Sequence, residues 1–310
     1  MSRFAENVLT FRALYTSPIV TVSDYWCRAG CGGPASDEHS GVNHIVLMRN
    51  GAFCKHFGPR SVTADVNQAV FFSKESTYRV SHPSDCGDRG TVFTPSPRVL
   101  NEAIRELDPS IEERSDAPFP FVTGPCDSSV FWRHRELVQR LEAPERAPLE
   151  PLWADVTALQ LIADVLAAAF ARHGLPRKVR RTGTDDDHTG RAEAARTYLA
   201  SRLYERVTLD EIARGVHASP FHLVRVFQQR TGVSIHRYLT RLRLRVSLER
   251  LADGANDLTA LALELGFSSH SHFTDAFRRE FGRTPSDVRR HMRRDGGFQN
   301  LREMSKNLEA

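Results

Sequence analysis

The stretch LDEIARGVHASPFHLVRVFQQRTG, from Leu209 to Gly232, decides the architecture of the C-terminal third. Leu209, Ile212 and Ala213 supply one apolar helical face, and Gly215 to Ala218 allow a turn. Ser219 is placed to cap a second helix, with Pro220 at its first position, where a missing N–H costs nothing. Phe221, Leu223, Val224, Val226 and Phe227 follow, and Gly232 is placed to end that helix. Two helices joined by a tight turn make a helix-turn-helix, whose second helix can enter a major groove of DNA.

The pattern recurs in LTALALELGFSSHSHFTDAFRREFG, Leu258 to Gly282. Ala262 matches Ala213, Gly266 and Phe267 make the turn, and Ser268 or Ser269 caps the helix. Phe273, Phe277 and Phe281 line an inner face, and Phe277 precedes Gly282 as Phe227 precedes Gly232. Between the copies Ile235 to Ala252 reads as one long helix, with Tyr238, Leu239, Leu242, Val246, Leu248 and Leu251 as core positions. Charge agrees with a polyanionic partner. Residues 191–294 hold 19 Arg, no Lys and 11 acidic side chains, a surplus of eight, whereas the rest of the chain carries a net −4. Arg outnumbers Lys throughout, so the surplus alone does not decide the point.

Residues 191–294 resemble the DNA-binding domain of AraC-type transcription regulators. The likeness is carried by Gly266-Phe267-Ser268, His272-Phe273, Phe277-Arg278-Arg279, Phe281-Gly282 and Thr284-Pro285. It implies seven helices with two helix-turn-helix units, whose recognition helices enter successive major grooves about 34 Å apart. It points Phe221, Val224, Arg225 and Gln228 of the first recognition helix at DNA, and His270, Ser271, His272, Asp275, Arg278 and Arg279 of the second. Arg225 suits guanine bidentately, and His270 and Ser271 offer single hydrogen bonds to base edges. Two positions depart from the pattern. Asp275 either accepts from cytosine or orients a neighbouring arginine, and His217 stands where glycine is usual, at a turn histidine tolerates. Arg241, on the spacer, is expected to contribute at most a phosphate contact.

The N-terminal half reads differently. From Val8 to Val92, short runs such as HIVLMRNGAF (44–53) and NQAVFFS (67–73) alternate with Gly and Pro punctuation, as in a sandwich or barrel. Helices are expected over Pro95–Asp108, Ser128–Leu141 and Leu152–His173, with a loop over Pro109–Pro125. Leu152, Val156, Leu159, Ala163, Leu166 and Phe170 form one stripe, and Leu161, Ile162 and Val165 broaden it. A helix apolar on two faces needs two partner surfaces, so it is expected to dimerise the chain. The resemblance implies that the β region is a cupin-type barrel that binds an effector. The fold class is thus mixed β and α. The expected divisions are a cupin-like sensor (1–145), a dimerisation helix (146–174), a flexible linker (175–190), the DNA-binding domain (191–294) and a tail (295–310).

An enzyme reading fails, because the metal-binding cupin pattern needs a His-x-His pair with a nearby Glu. Here His39 and His44 are five apart, with no acidic residue between His44 and Gly51. Five cysteines in a chain without an apolar leader are expected to be reduced thiols. Cys27, Cys31, His39 and Cys86 form a candidate metal set; a redox pair, or cysteines of no special role with Cys54 and Cys126 in the core, are the alternatives. No cofactor is certain, and both a metal ion and a small organic effector stay open. No run of 18 apolar residues is present, so no membrane span is expected. The expected partners are double-stranded promoter DNA, a second copy of the chain and RNA polymerase, in the cytoplasm.

Overall fold

Burial partly alternates along Val20–Cys27 and Asp88–Pro95 and is nearly continuous along His44–Asn50 and Gln68–Phe72, the centre of the β-rich half. The computed structural model describes residues 9–28, 36–83, 87–109, 117–143, 151–174 and 183–294. Its strands are β1 (Leu9–Thr16), β2 (Val20–Cys27), β3 (Glu38–His39), β4 (His44–Asn50), β5 (Phe53–Phe57), β6 (Arg60–Ala64), β7 (Gln68–Phe72), β8 (Thr77–Ser81), β9 (Asp88–Pro95) and β10 (Thr123–Pro125). All pairings are antiparallel, in the orders β1-β2-β9-β4-β7-β10 and β3-β8-β5-β6. Successive residues of β7 serve opposite faces. Phe71 meets Phe119 and Phe121 at 5.1 and 4.8 Å, while Phe72 turns to Tyr78 at 5.0 Å and to the buried Lys55 ammonium.

Among the described strands the two ladders remain separate sheets, and the closed barrel expected from the resemblance is not formed. Closure requires a continuous hydrogen-bond ladder. Instead, the chain leaves β6 through a tight turn in which the Asp65 carboxylate accepts from the Asn67 N–H at 2.8 Å, and enters the other sheet as β7.

The helices are α1 (Pro97–Arg105), α2 (Ser128–Glu142), α3 (Pro151–His173), α4 (Gly183–Ser201), α5 (Leu209–Gly215), α6 (Pro220–Thr231), α7 (Ile235–Ala252), α8 (Leu258–Glu264), α9 (His270–Phe281) and α10 (Pro285–Arg294). Seven of them, α4 to α10, fall in the C-terminal region, as the resemblance implies. Two expectations need correction. The loop over 109–125 ends in β10, because Thr123–Pro125 completes the edge beside β7. The linker expected over 175–190 is helical from Gly183, where α4 begins. Residues 175–182 and the tail from 295 lie outside the described residues.

The helix α3 divides the expected stripe, burying its C-terminal members and exposing its N-terminal ones. Its buried face is Ala154, Ala158, Leu161, Ile162, Val165, Leu166, Ala169 and Phe170. Leu166 and Phe170 are therefore core, whereas Leu152 is 75% and Val156 43% exposed. The reason lies at the C-terminal end, where Phe121 and β10 cover the helix; a Cβ on Gly124 would come within 2.6 Å of the Ala169 Cβ. Among the described residues α3 is also long and apolar enough to cross a membrane, with a mean hydropathy of 1.6, contrary to expectation. Alanines raise that average without forming an unbroken run of large apolar residues, and in this fold one face of the helix is core.

Candidate nucleic-acid interface

Capping chemistry sets the start of each helix in both helix-turn-helix units. Thr208 and Glu211 form a reciprocal capping box on α5, with the Glu211 carboxylate accepting from the Thr208 N–H at 2.7 Å. The Ser219 hydroxyl accepts from the His222 N–H at 3.3 Å to start α6, with Pro220 following it. Asp257 caps α8, and Ser269 rather than Ser268 caps α9. Both recognition helices end on a left-handed glycine, Gly232 at φ +80° and Gly282 at φ +71°. The turns are related in the same way. His217 adopts φ +51° where the second copy has Gly266 at φ +75°. In the second turn a Cβ on Gly266 would lie 2.7 Å from the Arg243 guanidinium, so any larger residue there has to displace that side chain as well as adopt a positive φ.

Once the helices are set, packing decides which side chains face outward. Leu223, Val226 and Phe227 of α6 are buried, so Val224, Arg225 and Gln228 are exposed together. Phe221 begins the same helix, but its side chain lies outside the described residues. On α9 the rings of Phe273, Phe277 and Phe281 stack inward at 5.7 and 4.7 Å. Ser271, His272, Asp275, Arg278 and Arg279 are exposed on the other side. His270 is only half-buried, with its Nε2 3.4 Å from the Thr274 hydroxyl, and His272 Nδ1 lies 3.0 Å from the Ser268 hydroxyl. Asp275 is exposed, with no arginine contact among the described residues. Each exposed set combines hydrogen-bonding and cationic groups on one helix face, the chemistry suited to base edges and phosphates.

Arg241 departs from its expected role. Its Nε lies 2.9 Å from the Glu280 carboxylate, an ion pair that ties α7 to the end of α9 and occupies the arginine internally. The spacer is also held from its other side. Leu244, Arg245, Ser247 and Glu249 are buried along with the expected core residues, because the β-rich half docks on them. Arg49, only 1% exposed on β4, donates from Nε to Glu249 at 2.8 Å and from Nη1 to Asp24 at 2.8 Å. Glu249 also pairs with Arg135 of α2 at 2.9 Å. Burial pushes both guanidinium groups down. At Arg49 the carboxylates of Glu249, Glu142 and Asp24 outweigh burial and the net shift is upward; Arg135, whose main compensation is Glu249, falls to about 10. Arg245 donates to the Val66 carbonyl, the Tyr238 hydroxyl donates to Asp65, and the Thr63 N–H donates to Glu193 at 2.8 Å. The ring of Trp132 on α2 packs against Phe281 at 5.7 Å.

The charged part of this docking was not visible in the hydropathy pattern, which reads arginine and glutamate as surface residues. The one available signal was Glu249 itself, the sole acid in α7 among five arginines.

The cysteines sort differently from the expected set. Cys54 and Cys126 are buried thiols, in keeping with a core role. Cys31 and Cys86 lie outside the described residues. His39, on β3, faces the Thr77 hydroxyl at 3.2 Å and is not brought to Cys27. The two-residue β3 pairs only with β8, which holds His39 in the smaller sheet. Cys27 instead meets His82 and Asp88.

Residues 212–291 match a family described as a helix-turn-helix domain. Over 265 residues the chain is 24% identical to the HTH-type transcriptional activator RhaS of Escherichia coli, covering 85% of this chain and 90% of the relative. The same figures hold for RhaS of Shigella dysenteriae. Among solved structures, an apo form of ToxT from Vibrio cholerae is similar at 14% identity, covering 90% of this chain and 98% of that one, with a TM-score of 0.39. A transcriptional regulator with an AraC-type DNA-binding domain from Chromobacterium violaceum is 27% identical, covering 37% and 98%, with a TM-score of 0.32.

Proposed function

We propose that this chain is an AraC-type helix-turn-helix transcription regulator, which reads two successive major grooves of promoter DNA through α6 and α9 and is controlled by an effector acting on the N-terminal half. One observation carries the reading. Both helices that follow a helix-turn-helix turn expose a polar and cationic face, while their described phenylalanines, Phe227, Phe273, Phe277 and Phe281, lie in the core. The first set is Val224, Arg225 and Gln228, with Phe221 on the same helix; the second is Ser271, His272, Asp275, Arg278 and Arg279, with His270 at its edge. The rigid helix α7 joins the two units, as reading of grooves one helical turn apart requires. The buried contacts between α7 and the β-rich half give an effector a route to the DNA-binding helices, since any shift of β4 or α2 bears on Glu249. RNA polymerase is the partner of an activator, and the cytoplasm is where promoter DNA and polymerase meet.

Binding of a fluorescent duplex carrying the promoter's direct repeats is the direct test. Affinity is expected to fall with salt at a log–log slope on the order of −4 to −7, for roughly 5–8 phosphates neutralised. A flat salt response defeats the DNA reading.

The exposed N-terminal part of α3 supports a homodimer formed through Leu152 and Val156. Changing both to Asp is expected to convert dimers to monomers in light scattering while leaving the fold intact, because neither residue is buried. Leu166, at 0% exposure, is unsuitable for that test, since a charge there disrupts the core. Persistence of dimers in the double variant assigns the contact to another surface.

A further inference from the structure

At one end of the β-rich half, three ligand-type atoms from three different strand ends converge. Cys27 closes β2, Asp88 opens β9 directly opposite it in the ladder, and His82 follows β8 in the smaller sheet. Cys27 Sγ lies 3.4 Å from His82 Nε2, and the same nitrogen lies 2.8 Å from Asp88 Oδ2. All three atoms fall within 4.8 Å of one another. We propose that Cys27, His82 and Asp88 form a binding site for a thiophilic divalent cation of the zinc class, which ties the two sheets together. This proposal does not depend on the DNA reading.

The geometry argues against a relay of the nucleophile–base–acid kind. There, the two imidazole nitrogens would serve different partners; here thiol and carboxylate both approach Nε2. Convergence of three donors on one small volume is instead what a central ion requires. With Zn–S near 2.3 Å and Zn–N near 2.0–2.1 Å, tetrahedral ligands stand about 3.3–3.6 Å apart. The Cys27–His82 separation already has that value, and the His82–Asp88 pair needs to open by only about half an ångström.

Two further observations bear on the site. Asp88 is buried, with Oδ2 facing His82 Nε2 at 2.8 Å, so carboxylate and imidazole already meet at one point and a bound ion would replace that contact as the partner of both. The backbone is also drawn in tightly. Gly87 at φ +66° would place a Cβ 2.4 Å from the Cys27 carbonyl, and a Cβ on Gly51 would lie 2.2 Å from the Gly87 carbonyl. Glycine at these points lets the strand ends close until the ligand atoms meet. The donor set of one thiolate, one imidazole and one carboxylate suits a borderline ion such as Zn(II) or Co(II) and does not suit Mg(II) or Ca(II). Three protein ligands leave a fourth position open.

The test uses full-length protein stripped with a chelator. Zn(II) is titrated in competition with a chromophoric chelator, and Co(II) is added separately to read a thiolate-to-cobalt charge-transfer band. The expected result is one equivalent bound, a charge-transfer band, and a higher melting temperature with metal. Cys27→Ser and His82→Gln are expected to weaken binding at least 100-fold and to abolish the band and the thermal shift. Circular dichroism of the metal-free variants checks that each still folds. If Cys27→Ser fails to fold, the cobalt band of the parent together with His82→Gln decides. Absence of binding to the parent at micromolar metal, or equal binding by parent and folded variants, overturns the proposal.

Discussion

Glu249→Gln is expected to cost about 3–5 kcal/mol of stability, the range for removing one partner of a buried ion pair. The substitution keeps shape and removes charge, so the loss reports electrostatics and not a cavity. Its size follows from who is left behind. Arg49 keeps Asp24 and Glu142, but Arg135, 2% exposed, loses its 2.9 Å carboxylate partner while remaining buried. Burial alone already lowers the Arg135 pKa, and Glu249 is the largest opposing influence. Urea unfolding followed by circular dichroism measures the effect. The double change Arg135→Met with Glu249→Leu is expected to recover most of the loss, because a buried pair replaced by apolar side chains of similar volume is often neutral or stabilising. A loss under about 1 kcal/mol, the level of an exposed pair, would mean that the β-rich half is not docked on α7 in solution.

Arg225→Ala is expected to weaken operator binding roughly 5- to 150-fold, the equivalent of about 1–3 kcal/mol for one bidentate guanine contact. Leu223, Val226 and Phe227 are in the core, so Arg225 points away from it and is exposed beside Val224 and Gln228. A base-reading arginine loses preference at one base pair when truncated; a phosphate-only arginine loses affinity for all duplexes and lowers the salt slope by about one. Titrating parent and variant against operator and scrambled duplexes separates the two. Equal loss on both duplexes would show that the proposed face does not read bases. Arg241 does not serve as a phosphate-contact control, since removing it also breaks the link to Glu280.

Legibility varied with the physics of each segment. The helix-turn-helix units could be read from the chain because each rests on local chemistry: a hydroxyl cap, a proline at the first helical position, and a left-handed glycine at the end. The bounds Pro220–Thr231 and Ile235–Ala252 follow from those signals, and His217 occupies the positive-φ turn expected of it. The α3 stripe was legible as apolar but not as to which part faces the core, because helical spacing specifies direction around an axis and not what covers each turn. Thr123–Pro125 was missed as a strand, since three residues following a proline-rich segment carry no periodicity.

The sequence by itself determined the paired helix-turn-helix units, the spacer, the basic C-terminal region and the outward-facing arginine of the first recognition helix, all consequences of neighbours within a few residues. Only the tertiary structure decided that Glu249 and Arg245 are buried against the β-rich half, that the β strands form two sheets, and that Cys27 meets His82 and Asp88 rather than His39. Those outcomes join residues 55 to 200 positions apart, as in the Cys27–His82 and Arg49–Glu249 contacts. A charged or ligating side chain has no preferred burial of its own; its partner across the fold determines whether it stays in water or enters the core.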